Sequence, residues 1–145
     1  MRSGKVRYRI GYTTGAFDMF HIGHLNLLER IKAMCGKLIV GISTDESMAR
    51  LKGMSPVVPW EQRARIVGAM KCVDEVVPNA IVEHEVTWHR LKFDLFAIGE
   101  DWKGRMDNTE RELGELGCDV IYLPRTEGIS TTSLKERIGH YRALA

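Results

Sequence analysis

Residues 13–34 read TTGAFDMFHIGHLNLLERIKAM and place two histidines, His21 and His24, three positions apart. Apolar residues at positions 25, 28, 31 and 34 form one stripe, which predicts a helix over 22–35 that opens on these histidines. Helix propensity does not explain such a start, because histidine is a mediocre helix former and glycine costs stability inside a helix. The composition predicts only about 0.02 His-x-Gly-His matches by chance, which indicates a functional motif rather than a simple helix cap.

The chain around this stretch alternates short apolar runs with longer amphipathic ones. Strands are predicted over 6–13, 37–42, 73–77, 94–98 and 119–123, and the later helices over 59–71, 84–92, 108–116 and 130–141. Ser43 and Glu46 have capping-box spacing, and residues 48–58 are predicted to form a loop. Strands that alternate with helices favour right-handed crossovers. The predicted fold is therefore α/β: a Rossmann-like five-stranded parallel sheet with helices on both faces, in a single domain over 1–145.

The histidine pair lies where the first strand turns into the first helix. Folds of this kind bind ligands beyond the carboxyl ends of their strands. Residues three apart share a helix face, and a helix N-terminus favours an anion. Gly23 between the two histidines is expected to let a ligand approach the backbone. Together these features suit a phosphate chain.

A second candidate site follows the last predicted strand, in RTEGISTTSL over residues 125–134. Arg125 offers a fork of donors that matches phosphate oxygens. Gly128 supplies a turn, and Ser130, Thr131 and Thr132 can cap the last helix, which would create a second anion-ready N-terminus. A plain capped helix with a surface arginine is the alternative interpretation.

Composition excludes several other classes of protein. The net charge of +2 is too small, and the charges too interspersed, to indicate nucleic-acid binding. No run approaches the roughly 20 apolar residues of a membrane span, and the basic amino terminus lacks the apolar core of a signal peptide. The 3 cysteines are far apart and form no CxxC, so reduced thiols in the cytoplasm are expected.

Five segments of the chain resemble one enzyme family, in order and with similar spacing: GAFDMFHIGHLNLLERIK, GISTDE, CVDEVVP, IGEDWKGR and YLPRTEGISTTSLKERI. They resemble the glycerol-3-phosphate cytidylyltransferases of the HxGH nucleotidyltransferase superfamily. The resemblance implies transfer of CMP from CTP to a phosphorylated alcohol, most simply sn-glycerol 3-phosphate, to give CDP-glycerol and pyrophosphate. It also implies a homodimer, and Mg²⁺ or another divalent cation carried by CTP rather than by protein side chains.

The resemblance also assigns roles to individual residues. The implied catalytic residues are His21, His24, Lys52 and Arg125. The implied nucleotide-binding residues are Gly15, Ala16, Phe17, Asp18, Arg63, Gly99, Asp101, Trp102, Thr126, Ile129, Ser130 and Thr131. The acceptor-site candidates are Asp45, Lys71 and Asp74. Plainer interpretations stay open for some of them: a solvated loop lysine for Lys52, helix or turn caps for Asp45 and Asp74, a core residue for Trp102, and for Asp18 a role only in orienting the histidine turn.

Several alternatives remain for the reaction itself. Residues 79–93 match the family poorly, and residues 107–117 look longer than in the glycerol-3-phosphate enzymes, so the acceptor could be another phospho-alcohol, a sugar phosphate or a phosphonate. An ATP-using adenylyltransferase of the same superfamily is a second alternative. A catalytically silent nucleotide-binding module is a third, which the presence of all four implied catalytic residues argues against.

Overall fold

The computed structural model of the protein describes residues 6–80 and 84–144. Its strands are β1 (Tyr8–Gly15), β2 (Cys35–Ser43), β3 (Glu75–Asn79), β4 (Leu95–Gly99) and β5 (Asp119–Leu123). Its helices are α1 (Ile22–Met34), α2 (Asp45–Lys52), α3 (Trp60–Gly68), α4 (His84–Leu91), α5 (Asp107–Glu115) and α6 (Thr131–Leu144). A short 3₁₀ turn, Glu100–Trp102, follows β4.

The five strands form one parallel sheet in the order β3-β2-β1-β4-β5, which confirms the predicted fold class. The chain winds outward from β1 to β3 and then returns to the other side of β1 to build β4 and β5. The direction of winding therefore switches between β1 and β4. A parallel sheet opens a crevice at such a point, outside the carboxyl ends of the two strands.

Each face of the sheet packs against its own set of helices. In β2, Leu38, Val40 and Ile42 belong to the apolar layer that includes Leu28 of α1 and Val67 of α3. Ile39 of the same strand belongs to the opposite layer, with Leu113 of α5 and with Trp88 of α4 at its edge. Alternate residues of one apolar run are thus buried on opposite faces, as parallel strands require.

The main difference from the predicted elements is α2, which occupies part of the expected loop 48–58. The helix is capped by Thr44 rather than Ser43, because the Thr44 hydroxyl accepts a hydrogen bond from the Ser47 amide at 3.2 Å. It buries only Ser47 and Met48, so its sequence carries no apolar stripe. None of the helices described is both long and apolar enough to cross a bilayer.

Candidate active site

A cleft of about 480 Å³ opens at the carboxyl ends of β1, β4 and β5, at the switch point of the sheet. Its walls are the turn after β1, the start of α1, the end of α2, the 3₁₀ turn, and the segment from β5 into α6. Its lining residues are Thr14, Gly15, Ala16, Phe17, Asp18, His21, Gly23, His24, Leu27, Met48, Lys52, Met54, Ser55, Ile98, Gly99, Asp101, Trp102, Pro124, Arg125, Thr126, Ile129, Ser130, Thr131, Thr132 and Lys135. The cleft therefore brings together all four implied catalytic residues.

The two histidines form a reciprocal cap at the start of α1. His21 Nδ1 accepts a hydrogen bond from the Gly23 amide at 3.0 Å, and His24 Nδ1 accepts one from the His21 amide at 3.2 Å. A ring nitrogen that accepts a hydrogen bond carries no proton, so the proton of each neutral imidazole lies on Nε2. Each histidine is therefore fixed as an Nε2–H donor beside the cleft.

The same geometry keeps both imidazoles neutral. Their rings stack with centroids 3.8 Å apart. Burial, followed by the neighbouring His21 imidazole, lowers the pKa of His24 to about 4. Burial also lowers the pKa of His21. Two neutral N–H donors can stabilise charge that develops on a phosphate oxygen without changing their own protonation.

Gly23 is required for a different reason from the one expected. A Cβ built on Gly23 would lie 2.8 Å from Cε1 and 3.0 Å from Nδ1 of His21. The space of the missing side chain is thus filled by the His21 ring and not left open for a ligand. Glycine at this position lets His21 cap the helix in the orientation described above.

The segment after β5 forms the opposite wall of the cleft. Ser130 and Ser133 exchange two hydrogen bonds of 2.9 Å, each amide donating to the other hydroxyl, and so cap the start of α6. The Asn26 side chain of α1 donates to the Thr126 hydroxyl at 3.1 Å. This wall therefore combines a capped helix N-terminus with Arg125, as its sequence predicted, and both belong to the same cleft as the histidines.

The third wall follows β4. The Asp101 carboxylate packs against Gly99, where an added Cβ would lie 2.7 Å from Asp101 Oδ1. Trp102 lines the cleft with 40% of its surface exposed, so it is not a core residue. An exposed aromatic ring and a carboxylate at the rim are groups that can pack against and hydrogen-bond a nucleotide base.

Arg63 lies behind the cleft rather than in it, which corrects the expectation that it contacts the nucleotide. Its guanidinium is 1% exposed and donates to the Val58 carbonyl at 2.8 Å, the Ala16 carbonyl at 2.7 Å and Asp45 Oδ1 at 2.6 Å. All three of its nitrogens are thus engaged by the protein. Arg63 therefore supports the turn after β1 from below.

The three acceptor-site candidates also lie outside the cleft. Asp45 pairs with Arg63 and accepts the Trp60 amide at 3.3 Å, so it caps the start of α3. Asp74 precedes β3, at the amino ends of the strands and therefore away from the cleft, where it accepts hydrogen bonds from the Leu38 amide and Lys32. Lys71 lines a separate groove beside α1. The chemistry of these side chains suggested a ligand, but hydrogen bonding or position assigns them elsewhere.

The structure also adds cleft residues that the sequence did not single out. Met48, Met54 and Ser55 come from α2 and the segment after it, which was predicted as loop. Lys135 lies one helical turn beyond Thr131 and Thr132 in α6. That spacing of three to four residues would have placed Lys135 on the cleft side of α6.

The described residues offer few side chains that could bind a metal ion. Within residues 6–80 and 84–144, no three His, Cys, Asp or Glu side chains are grouped closely enough to hold one. The two Asp18 oxygens already accept backbone amides. The cleft instead supplies cationic and neutral donors, which suit anionic oxygens.

Known proteins resemble this chain in both sequence and fold. Residues 12–137 match the family described as cytidylyltransferase-like. The glycerol-3-phosphate cytidylyltransferase of Bacillus subtilis (strain 168) is 41% identical in an alignment of 133 residues that covers 87% of this chain and 94% of that enzyme. The enzyme of the same name from Staphylococcus aureus is 37% identical over 127 residues, or 87% and 92% of the two chains.

A solved structure supports the fold independently. The lipopolysaccharide core biosynthesis protein from Thermoplasma volcanium superposes with a TM-score of 0.73 at 24% identity, over 83% of this chain and 99% of that one. At this identity the similarity concerns the fold alone. Because the family match spans every element that lines the cleft, from β1 into α6, the chain belongs to the cytidylyltransferase-like family of nucleotidyltransferases.

Proposed function

We propose that the protein transfers CMP from CTP to sn-glycerol 3-phosphate, giving CDP-glycerol and pyrophosphate. The observation that carries the proposal is the placement of two neutral Nε2–H donors, His21 and His24, in one cleft with Arg125 and the start of α6. Relatives that bear the name glycerol-3-phosphate cytidylyltransferase match most of the chain, and their name is the reason for proposing glycerol 3-phosphate as the acceptor.

In this reaction an oxygen of the acceptor phosphate attacks the α-phosphorus of CTP, and pyrophosphate leaves from the opposite side. Such a transfer depends on positioning and on neutralisation of charge more than on covalent participation by the protein. His21 and His24 donate to oxygens that gain charge as the bond to pyrophosphate breaks. Lys52, at the end of α2, and Arg125, after β5, both line the cleft and balance the negative charge of the two substrates.

We propose that Mg²⁺, or another divalent cation, enters with CTP as part of the substrate. The donor-rich character of the cleft supports this, because protein donors can hold phosphate oxygens while the ion neutralises others. Removal of divalent ions with a chelator is then expected to abolish turnover without unfolding the protein.

The test is release of pyrophosphate with Mg²⁺, using CTP or ATP, each with and without sn-glycerol 3-phosphate. The proposal predicts release that requires both CTP and the acceptor. Release with another phosphate or phosphonate in place of glycerol 3-phosphate would keep cytidylyl transfer and change the acceptor. Release with ATP but not with CTP would reject CTP as the nucleotide substrate. Binding of CTP without release under any acceptor would favour a silent nucleotide-binding module.

We also propose that the protein forms a homodimer. An open groove of about 630 Å³ between α1 and the turn after α3 is lined by Leu25, Ala33, Ala69, Met70 and Cys72. Glu29, Lys32 and Lys71 add both signs of charge at this groove, as two copies of one surface need for self-complementarity. Sedimentation equilibrium is expected to give a dimer that Ala33→Arg weakens. Gln62→Arg, at an exposed position of α3 outside the groove, is expected to leave the dimer intact. A monomeric wild type would reject this proposal.

A cytoplasmic location completes the proposal. Cys35, Cys72 and Cys118 are all free, which suits a reducing compartment. The proposed substrates are also nucleotide and phosphate metabolites. Fractionation of the cells that make the protein, with detection by antibody, tests this location directly.

A further inference from the structure

The segment of residues 53–59, between α2 and α3, carries part of the cleft but has little packing of its own. It follows Lys52 directly and contributes Met54 and Ser55 to the cleft. Met54 and Val57 are 62% and 59% exposed. Within the part of the chain that the structure describes, the hydrogen bonds to residues 54–58 come only from the side chains of Asp18 and Arg63.

Asp18 holds this segment with both of its carboxylate oxygens. Oδ2 accepts the Val57 amide at 2.8 Å and Oδ1 accepts the Val58 amide at 2.9 Å, while the residue itself is only 4% exposed. Hydrogen bonds to an ionised carboxylate are stronger than neutral ones. The loop between the two helices is therefore tied to a residue that lies three positions before His21.

The backbone around Asp18 is unusual in a way that the same contacts explain. Phe17 and Met19, on either side, have φ values of +51° and +50°, a left-handed conformation that costs energy for bulky residues. The Asp18 carbonyl accepts a hydrogen bond from the Thr131 hydroxyl at 2.9 Å, which ties the same turn to the start of α6. Asp18 thus joins three elements of the cleft, and these bonds offset the strain of the turn.

Arg63 reinforces this connection from the buried side. It donates to the carbonyls of Val58 and Ala16, so Val58 is held at its amide by Asp18 and at its carbonyl by Arg63. The segment after α2 and the turn after β1 are in this way fixed to each other at a defined distance. Lys52 and the histidine pair sit at the two ends of that connection.

Asp18 itself is poorly suited to contact the substrates. A carboxylate cannot accept a hydrogen bond from an ionised phosphate and repels it instead. Its two oxygens are already directed to backbone amides in a buried site. We infer that Asp18 is a positioning residue, which sets the place of Lys52 relative to His21 and His24 through the 53–59 segment. This inference rests on the proposed function for the role of Lys52.

The first test is Asp18→Asn, with Asp94→Asn as the matched control. Asparagine keeps one acceptor oxygen but turns an NH₂ group toward the second backbone amide. Misplacement of a catalytic group by a fraction of an ångström is expected to lower kcat/KM for CTP by about 10- to 100-fold. Asp94 also accepts hydrogen bonds from two adjacent amides, those of Arg9 at 2.9 Å and Ile10 at 2.7 Å, but it lies at the amino ends of the strands, away from the cleft. Its replacement is expected to lower Tm and to leave kcat/KM within about twofold of wild type.

The second test separates positioning from direct contact. If Asp18 acts through Lys52, then Asp18→Asn costs about threefold or less once Lys52→Ala is present, because the two changes remove the same interaction. Losses that multiply in the double variant would mean that Asp18 acts on substrate or metal directly, and would overturn the inference. A shift in the Mg²⁺ concentration needed for half-maximal rate in Asp18→Asn would overturn it as well.

The third test needs no substrate. Trypsin cleaves after Lys52, and release of the 53–59 segment is expected to speed this cleavage several-fold in Asp18→Asn but not in Asp94→Asn. Unchanged cleavage would overturn the inference even if activity fell. If the wild type released no pyrophosphate, the proposed function would fail while this test still decided whether Asp18 holds the segment.

A variant on the segment itself covers the case in which Asp18→Asn does not fold. Val57→Pro removes one of the two donated amides and leaves Asp18 and the exposed surface in place. It is expected to speed cleavage after Lys52 and to lower kcat/KM. Wild-type values for both would reject the connection.

Discussion

Gly23 shows how a single residue in this site serves the chemistry of another. The Gly23→Ala substitution places a methyl group 2.8 Å from Cε1 of His21, so the imidazole must leave its capping position. Turnover is then expected to fall by about 10² or more, and the same loss is expected for His21→Ala, because each change removes a preorganised donor to transition-state charge. Steady-state release of pyrophosphate by the two variants measures this directly.

The matched control for that change is Gly114→Ala. Gly114 lies in α5 with open space around its Cβ position, so alanine there is expected to raise helix stability by up to ~1 kcal/mol and to leave turnover unchanged. Wild-type turnover in Gly23→Ala would show that His21 does not need its position at the cap.

Arg125→Lys tests the arginine at the other wall of the cleft. Lysine keeps the charge but lacks the planar fork that binds two phosphate oxygens at once. We expect kcat/KM for CTP to fall by about 10-fold or more, in line with the loss of a charge-assisted hydrogen bond. Lys103→Arg is the control, because Lys103 follows the 3₁₀ turn, is exposed and does not line the cleft. A rate equal to wild type would make Arg125 a surface residue.

Sequence reasoning identified the residues of the cleft better than it separated ligands from supports. His21, His24 and Arg125 were predicted from a motif at the end of a strand, and the structure places them together. Arg63 and Asp74 carry the same charged groups as substrate-binding residues. Their hydrogen bonds, however, go to backbone groups and to oppositely charged side chains of the protein. A side-chain type states what a residue can bind, whereas the tertiary structure decides what it meets.

At the scale of helices and strands, whether an element could be predicted from the sequence depends on how much apolar surface it buries. The five strands and the long helices were predicted because apolar periodicity marks their buried faces. Helix α2 was missed because half of its eight residues are charged and only Ser47 and Met48 are buried. Its acidic first turn and basic last turn instead match the helix dipole, a weaker signal that sequence periodicity does not reveal.

Helix α1 holds the far wall of the cleft by two side chains on one face. Asn26 donates to the Thr126 hydroxyl at 3.1 Å, and Arg30 donates to the Pro124 carbonyl at 3.1 Å. The double variant Asn26→Ala, Arg30→Ala is expected to lower kcat/KM for CTP by about 10-fold, because the segment that carries Arg125 loses its anchor. Because both side chains lie near the surface, the loss of Tm is expected to be only a few degrees.

Gln62→Ala on α3 is the control, since Gln62 is exposed and lines neither the cleft nor the groove proposed for the dimer. It is expected to leave kcat/KM as in wild type. If the double variant lost Tm and retained full kcat/KM, these two hydrogen bonds would serve the stability of the fold and not the placement of Arg125.

At the scale of the whole molecule, the position of the site follows from topology. The chain reverses its winding between β1 and β4, and the motif at the end of β1, the 3₁₀ turn after β4 and the Arg125 segment after β5 all meet there. A doubly wound fold was therefore enough to predict where the site lies. It was not enough to predict that the segment after α2 would fold over it, because that depends on the two hydrogen bonds to Asp18.

The buried histidines also make the stability of the whole molecule depend on pH. In the unfolded chain His24 takes up a proton near its ordinary pKa of 6.5, whereas in the folded protein burial lowers its pKa to about 4. The pKa values of His21 and His84 are lowered by burial as well. The unfolded state thus binds more protons in this range, so the free energy of unfolding is expected to fall as pH falls from about 6.5 toward about 4. Urea unfolding of wild type and His24→Gln at pH 7 and pH 5 measures the effect. The variant should lose less stability between the two pH values, and an equal loss in both proteins would show that His24 does not contribute.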